Sequence, residues 1–488
     1  MEENPIKKYD TIIIGAGPAG AFSAISLAKR GLNVLLLEKG GTFSDNLCKH
    51  FVKQSFDSSL KEPYCCHQQC LSGFGGAALH FEANFDNYPY NNNIDKQRIK
   101  DFTFSSSLQS VLGEKTELYI SKFYDFMFDA ALEKTDTFSI DSVSHYVKIS
   151  SSGTIPVNLA NIRKIVTCLE KNIILYKVQY LTKRNVTTIQ RTGNYFLVSC
   201  LRDGGISGDE NSESELFLGS TVIVATGYRS MPFVFNLIKE HKLSHTFPDD
   251  VELGFRLETP SVYAEKILGT QYNPRVKSLC GKHRTFCICS GGRIMKYPFS
   301  WESKNFVLDG QHAYTQKGNK TNFSLLSKVK VPANKNSYEY VHDFVESANK
   351  LTPGFIPVQK LLDYINKKAS SQKEIEKLSL TICGCSATNL LSLVQKYSIQ
   401  LDWFLSFAND MLPKPKEFYD STLLLAPSVV KYAPRISLNG TESSIKGLYF
   451  IGDACGLVSG ISAAGAMGLM AADQIIESKL KKGDFHNE

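Results

Sequence analysis

Several features that mark large protein classes are missing from this 488-residue chain. No stretch reaches the roughly 18 uninterrupted apolar residues that a membrane-spanning helix needs, so no bilayer span is expected. Residues Met1 to Asp10 carry Lys7 and Lys8 and run directly into a strand and a glycine loop, without the apolar region and small-residue cleavage site of a secretory signal. A cytoplasmic location is therefore expected. The 12 cysteines include no Cys-x-x-Cys unit, and reduced thiols, mostly filling the core, fit them better than a disulfide framework. Lys and Arg number 55 against 48 Asp and Glu, a formal charge of +7. With no basic tract among them, nucleic acid is not an expected partner. There is no internal repeat.

The length exceeds what one growing core accommodates, so two or more lobes are expected, built from segments that need not be contiguous. Tyr9 to Ile14 is a short Ile-rich run. Ala21 to Arg30 then shows helical spacing up to Gly31, and Asn33 to Leu37 is a second apolar run. This is a βαβ start, and its unbroken apolar strands suit a parallel sheet covered on both faces. Gly40 to Asp95 has no clear periodicity and reads as loops serving a site. Pro156 to Glu170 reads as a helix and Ile173 to Tyr180 as a strand. Tyr195 to Cys200 and Glu215 to Leu218 read as strands joined by a polar turn, Asp203 to Ser214, and Thr221 to Ala225 as a further buried strand. Asp250 to Leu425 forms the natural second lobe. Gly447 to Ile451 is the last strand, a helix runs from about Ser462 to Ser478, and the charged tail from Lys479 frays.

Between the first two strands lies Gly15-Ala16-Gly17-Pro18-Ala19-Gly20. Gly15 permits the tight turn, Gly17 lets backbone approach a pyrophosphate, and Gly20 lets helix pack on strand. The helix N-terminus beyond offers N–H groups and partial positive charge to phosphate. Glu38, followed by Lys39, ends the second strand about twenty residues on, where an acidic group accepts from a ribose. The flanking strand, helix and acid make this a dinucleotide fingerprint.

Two later segments favour FAD over NAD. Val222-Ile223-Val224-Ala225-Thr226-Gly227 resembles the ATG motif of flavoproteins, and Gly447-Leu448-Tyr449-Phe450-Ile451-Gly452-Asp453-Ala454-Cys455-Gly456 resembles their GD motif. The second resemblance implies that Asp453 accepts a hydrogen bond from the ribityl chain. Gly460, Ile461 and Gly465 follow, at the start of a helix whose dipole would favour an anionic reduced ring. Arg284-Thr285-Phe286-Cys287-Ile288-Cys289-Ser290-Gly291-Gly292 is similar to the TFCMCPGG signature of the NAD(FAD)-utilising dehydrogenases. Gly73-Phe74-Gly75-Gly76-Ala77, Val251 to Glu258 and Asn322 to Leu326 are similar to further segments of that family in the same order. The resemblance spans most of the chain but departs at Ala78 to Asn84 and at Ser290, on the substrate side. It implies FAD and redox chemistry, with Gly75 near the cofactor, and names no substrate.

The expected fold is α/β: a Rossmann-type FAD-binding domain of the glutathione-reductase type with an inserted mixed α+β second domain. The FAD domain is expected from residues 1–85, 151–235 and 426–488, with a connecting region at 86–150 and the second domain at 236–425. His80 and Glu82 are acid–base candidates, each with a surface salt bridge as its bland reading. Arg256, inside an apolar strand, is a candidate for a substrate carboxylate, with internal pairing to Glu252 or Glu258 as the alternative. Arg293 and Lys296 are weaker candidates of that kind. Cys287 and Cys289 share one face of a strand, yet two thiols make at most half of a metal site. Cys65, Cys66, His67 and Cys70 alone cluster enough ligands for zinc, with adjacent cysteines diverging, and no metal is assigned.

The leading expectation is an FAD-dependent oxidoreductase acting on a small molecule between the lobes. No second glycine fingerprint follows, so NAD(P)H would serve only as a transient donor. Rivals are a flavin monooxygenase, a carbon–carbon double-bond reductase resembling the geranylgeranyl reductases, and a non-catalytic FAD-bound redox sensor. Substrate and oligomeric state are not legible.

Overall fold

The computed structural model describes residues 6–46, 71–77, 79, 82–86, 106–130, 142–150, 154–202, 213–314 and 317–481. Ile12, Ile13 and Ile14 of strand Lys7–Ile14 are buried, as are all four residues of Val34–Leu37. β-Branched and aliphatic side chains of this kind suit a sheet covered on both faces, each burial contributing about 1.5–3 kcal/mol. Lys7–Ile14 pairs in parallel with Val34–Leu37 on one side and with Ser214–Val224 on the other. Gln179–Leu181 adds beyond Val34–Leu37, and Leu448–Phe450 joins Val222 to Val224, again in parallel. Parallel strands from four distant parts of the sequence therefore end at one sheet edge. Gly15, Glu38, Ala225 and Ile451 each follow a strand at that edge.

Helix Pro18–Ala28 starts with proline at its first turn, where the missing N–H has no intrahelical role. It lies against the C-terminal helix Ile461–Lys481, and Ser23 Oγ donates to the Gly468 carbonyl at 2.7 Å. A methyl at Gly468 would overlap the Ala19 carbonyl, so glycine sets how closely the two helices approach.

A nine-stranded sheet forms the second lobe, in the order 385–387, 356–360, 423–430, 250–260, 320–330, 283–290, 275–278, 147–150, 142–143. Its centre, Asp250–Pro260, is buried along nearly its whole length between two antiparallel partners. Helix Ser337–Leu351, started by a capping box of Asn336 and Glu339, covers one face. The whole is the expected α/β class, a Rossmann-type parallel sheet with a second mixed domain. Among the described residues no helix is long and apolar enough to cross a membrane.

Local readings needed correction where tertiary pairing decides. Thr154–Val157 is a strand bonded to Ala83–Asp86, so the helix begins at Leu159, capped by the Asn158 side chain on the Asn161 N–H at 2.9 Å. The helix runs to Leu175, and the expected strand from Ile173 shrinks to Gln179–Leu181 after Lys177 turns the chain at φ 55°. Glu215 to Leu218 and Thr221 to Ala225 are one strand, Ser214–Val224, which changes partner near Gly219. Its first half pairs antiparallel with Tyr195–Arg202 and its second half parallel with Leu448–Phe450. Leu423–Val430 carries the second sheet past Leu425, and the last helix reaches Lys481 rather than fraying from Lys479. The polar turn from Asp203 lies outside the described residues up to position 212.

A methyl group at Gly20 would overlap the Gly15 carbonyl oxygen. Gly20→Ala should therefore destabilise the apo protein by more than about 2 kcal/mol in urea unfolding, through forced separation of helix and strand. An unchanged unfolding midpoint would contradict this packing.

Candidate functional site

The glycine loop is held from three sides. Gly15 has φ 101°, and a methyl there would lie 2.5 Å from the Ala225 carbonyl oxygen, so only glycine fits this crossing. Its N–H donates to the Leu37 carbonyl at 2.7 Å. Gly75 N–H donates to the Ala16 carbonyl at 2.9 Å, bringing the segment 71–77 against the loop. Glu38, only 6% exposed, accepts the Ala16 N–H at 2.7 Å and the Gly40 and Gly73 N–H groups at 2.8 Å each. The acid expected to meet a ribose is thus also the anchor of three backbone segments. Helix Pro18–Ala28 has no side-chain cap, so its N-terminal donors face the space above the loop.

That space is a cleft of about 920 Å³. Gly15, Gly17, Pro18, Ala19, Glu38 and Lys39 line it from the first two strand ends. Ala225, Thr226 and Gly227 line it from the third. Gly452, Asp453, Gly460 and Ile461 line it from the fourth and from the following helix. Gly20 and Gly75 act just behind it, while Gly465 faces elsewhere: a methyl there would overlap the Phe123 ring.

Two buried polar atoms on this wall have no partner among the described residues, Thr226 Oγ1 and Asp453 Oδ1. Burial holds the Asp453 carboxyl up at about 7, against an ordinary 3.8. An orphaned buried carboxyl is rare unless a ligand completes it. A donor-rich polyol chain beside a loop suited to pyrophosphate answers both, so the residues present fit FAD.

The second lobe supplies the opposite wall, with Phe286, Trp301, Val307, Leu308, Asp309 and Tyr432. Lys39 sits 5.3 Å from the Trp301 ring centre, and burial lowers its pKa. Arg229, which no motif announced, also lines the cleft; it stacks 4.8 Å from the Tyr297 ring centre and donates to the Pro298 carbonyl. Burial lowers the Arg229 pKa. Asp309 was equally unread: its carboxylate is 40% exposed and meets Arg256 at 3.3 Å.

Arg256 itself is fully buried beneath this wall and does not line the cleft. Neither expected partner holds it. Glu252 instead takes Arg284 at 2.6 Å and Lys431 at 3.2 Å, and Glu258 accepts the Thr381 N–H at 3.1 Å. Arg256 donates to Asn322 Oδ1 at 2.7 and 2.9 Å, Ser324 Oγ at 3.1 Å and the Cys287 carbonyl at 2.7 Å, besides Asp309. With its donors engaged, it reaches no substrate carboxylate. Glu82 is likewise buried outside the cleft lining, and its carboxylate accepts the Tyr314 N–H, so it is neither on the surface nor at the cleft. Arg293 and Lys296 lie on strand Arg293–Pro298 away from the cleft lining, Lys296 stacked 4.2 Å from the Phe306 ring centre. His80 and the Cys65, Cys66, His67 and Cys70 group lie outside the described residues.

Comparison with known proteins agrees on the cofactor half. Residues 10–49 match the family model described as FAD binding domain, a span that holds the glycine loop and Glu38. The chain is 53% identical over 38 residues to a digeranylgeranylglycerophospholipid reductase of Methanosarcina mazei, 8% of this chain and 9% of that protein. It is 56% identical over 32 residues to digeranylgeranylglycerophospholipid reductase 1 of Methanococcoides burtonii, 7% of this chain and 8% of that protein. The matched segments are thus a small part of these curated relatives. Among solved structures it is similar to a flavoprotein/dehydrogenase from Cytophaga hutchinsonii, at 13% identity and a TM-score of 0.38, covering 98% of this chain and 79% of that one. A flavin-dependent brominase is similar at 14% identity and a TM-score of 0.40, with 97% and 79% covered. Neither likeness bears on substrate.

Two expectations follow from the geometry. Because the folded apo chain keeps the Asp453 proton up to about pH 7 and the unfolded chain only to about 3.8, folding binds a proton between those values. This group's contribution to apo stability falls as pH rises from about 4 to about 7, by roughly 4 kcal/mol at most, and is flat above. Asp453→Asn should lack that slope, so the stability difference between wild type and variant should change across this pH range in urea titrations. The same variant should weaken FAD binding at pH 8 by roughly tenfold or more through loss of a charged acceptor; parallel pH profiles and equal affinity would contradict the assignment. Gly17 behaves differently, since a methyl there would sit 3.8 Å from Gly76 Cα in ordinary contact. Gly17→Ala should leave apo unfolding within about 0.5 kcal/mol of wild type while reducing FAD retention on gel filtration.

Proposed function

We propose that this chain is an FAD-dependent oxidoreductase, an enzyme that moves hydride between the flavin and a small organic substrate held between the two lobes, with NAD(P)H as a transient electron donor. The observation that supports it most is the unpartnered Asp453 carboxyl on a wall shared with the glycine loop and Thr226. When bound, FAD supplies the hydride chemistry itself, and the protein binds, orients and manages protons. Gly15, Gly17 and the first turn of helix Pro18–Ala28 bind phosphate in this reading. Glu38 accepts from the ribose while keeping its backbone donors, and Asp453 and Thr226 take the polyol. Gly460 and Ile461 bring the N-terminal end of a 21-residue helix to the cleft, where its partial positive charge favours added negative charge.

On the opposite wall, Asp309 is the carboxylate placed to accept a substrate donor, and Arg256 behind it keeps that carboxylate oriented. Arg229 is the cation available to an electron-rich substrate oxygen. The similarity of Arg284 to Gly292 to the NAD(FAD)-utilising dehydrogenases favours a nicotinamide-fed reaction. A second reading, reduction of a carbon–carbon double bond, draws on the apolar patch of Phe286, Trp301, Val307 and Leu308 in the cleft. The names of the two curated relatives lean the same way.

Anaerobic mixing of the purified yellow protein with NADH or NADPH should bleach the flavin absorbance. Persistent colour with both would remove the nicotinamide donor, and a folded, colourless protein that refuses added FAD would remove the whole reading. Once bleached, anaerobic reoxidation by an unsaturated isoprenoid alcohol would favour the second reading. No reoxidation by it would leave the first.

A further inference from the structure

Strand His283–Ser290 does not run straight past its neighbour Lys320–Lys330: its register shifts between Phe286 and Cys289, and Cys287 there has φ 52°. A positive φ at a residue with a side chain costs of order 1 kcal/mol or more and persists where the surroundings fix it. After Cys289 the chain turns at Gly291 and Gly292 into strand Arg293–Pro298, then returns along Phe306–Gln311, with Gln311 opposite Arg293. That return sets His312 beside the bulge. Glycine makes the approach possible, since a methyl at Gly292 would lie 2.8 Å from Cys289 Cβ and one at Gly310 would lie 2.5 Å from Cys289 Sγ.

The outcome is a cluster of Cys287, Cys289 and His312 whose sulfur and imidazole nitrogen atoms all lie within 4.8 Å of one another. Cys287 Sγ is 3.8 Å from His312 Nε2. Ligands at zinc–sulfur and zinc–nitrogen lengths on a tetrahedron stand about 3.5–3.8 Å apart, so the Cys287–His312 spacing already matches and the remaining pairs need to close by at most about 1 Å.

We propose that Cys287, Cys289 and His312 form a binding site for a thiophilic divalent metal ion of the Zn²⁺ type, with two thiolates, one imidazole and one open position. The surroundings suit it. His312 Nδ1 lies 3.4 Å from the Tyr272 hydroxyl, which donates to Asn84 Oδ1, so the second ring nitrogen is held as metal-bound histidines require. Arg256 Nη2 donates to Cys289 Sγ at 3.3 Å. Charge also balances: two thiolates offset the divalent ion, and Arg256 is offset by Asp309. Cys287 is half-buried while Cys289 is buried, which leaves an approach from one side. Binding converts two thiols and one Zn²⁺ into a neutral dithiolate complex and releases two protons to solvent, with no change of oxidation state. Because Phe286 and Asp309 line the cleft, the ion would stand behind the substrate wall. The inference does not depend on which molecule is oxidised.

The test uses full-length, FAD-loaded protein prepared under reducing conditions and dialysed against Co²⁺ or Zn²⁺. About one equivalent of metal per chain should be retained, with tetrahedral Co²⁺ ligand-field absorption to the red of the flavin bands. X-ray absorption of the Zn²⁺ form should show two sulfurs at about 2.3 Å and one nitrogen at about 2.0–2.1 Å. Cys289→Ser and His312→Ala should each lower affinity at least tenfold, whereas Cys383→Ser, at an exposed thiol on another segment, should not. Wild type binding no more metal than His312→Ala, absence of sulfur from the zinc shell, or a Cys287–Cys289 disulfide as the resting state on peptide mapping would each overturn the proposal. If either site variant fails to fold, the wild-type absorption spectrum alone decides.

Discussion

Three backbone N–H groups converge on the Glu38 carboxylate, and the cofactor half of the molecule depends on that convergence. Ala16 belongs to the glycine loop, Gly40 to the turn after the second strand, and Gly73 to the segment folding over both. Loops of this kind carry no ladder of their own, so their donors need an acceptor, and a buried carboxylate needs donors. Each charged hydrogen bond is worth about 1.5–3 kcal/mol net, and losing the acceptor would leave three donors buried together. The electrostatic need of one side chain therefore fixes three loops relative to a sheet edge. Only then do Thr226 and Asp453, arriving on other strands, face the same space.

In the second lobe Arg256 does the complementary work. A guanidinium in the middle of a central strand is expensive to desolvate, and the sheet compensates with Asn322 and Ser324 from the adjacent strand and the Cys287 carbonyl exposed by the bulge. Asp309 completes the set from the hairpin. Arg256 thereby ties the bulged strand and the hairpin to the sheet, and these two elements make the substrate-side wall. The strain at Cys287 and the burial of Arg256 are parts of one arrangement, because the bulge turns the Cys287 carbonyl toward the guanidinium.

What the sequence disclosed follows the range of the forces involved. The first βαβ unit was legible because its signals are local: apolar runs, helical spacing, Gly31, and Glu38 at its spacing from the glycines. Asp453 and Thr226 were legible through motifs that end strands in small residues. Long-range pairing was not. Pro156 lies in a strand because Ala83–Asp86 is its partner, and Ser214–Val224 is one strand because it exchanges partners halfway. The acceptors of Arg256 come from residues 53 to 68 positions downstream as well as from the nearer Cys287, beyond any window of periodicity. Glu252 and Glu258 were nearer in sequence, yet alternate residues on that strand serve other contacts. Asp309 and Arg229 had no pattern at all; only the fold puts them on the cleft.

The two buried carboxylates of the first lobe separate structure from recognition. Glu38 and Asp453 both follow a parallel strand at the same sheet edge, and both are acids at motif positions. Glu38 accepts three protein donors, so folding alone meets most of its hydrogen-bonding capacity. Asp453 Oδ1 has none among the described residues, and burial leaves it protonated to about pH 7. A group kept in that state makes the empty fold less stable than its packing would allow, and a ligand bearing hydroxyl donors recovers the difference on binding. The affinity of the cleft for such a ligand is thus partly stored in the fold as an unmet hydrogen bond. A site built this way discriminates by what is missing: a ligand that fills the volume without donating to Asp453 leaves the carboxyl still unsatisfied.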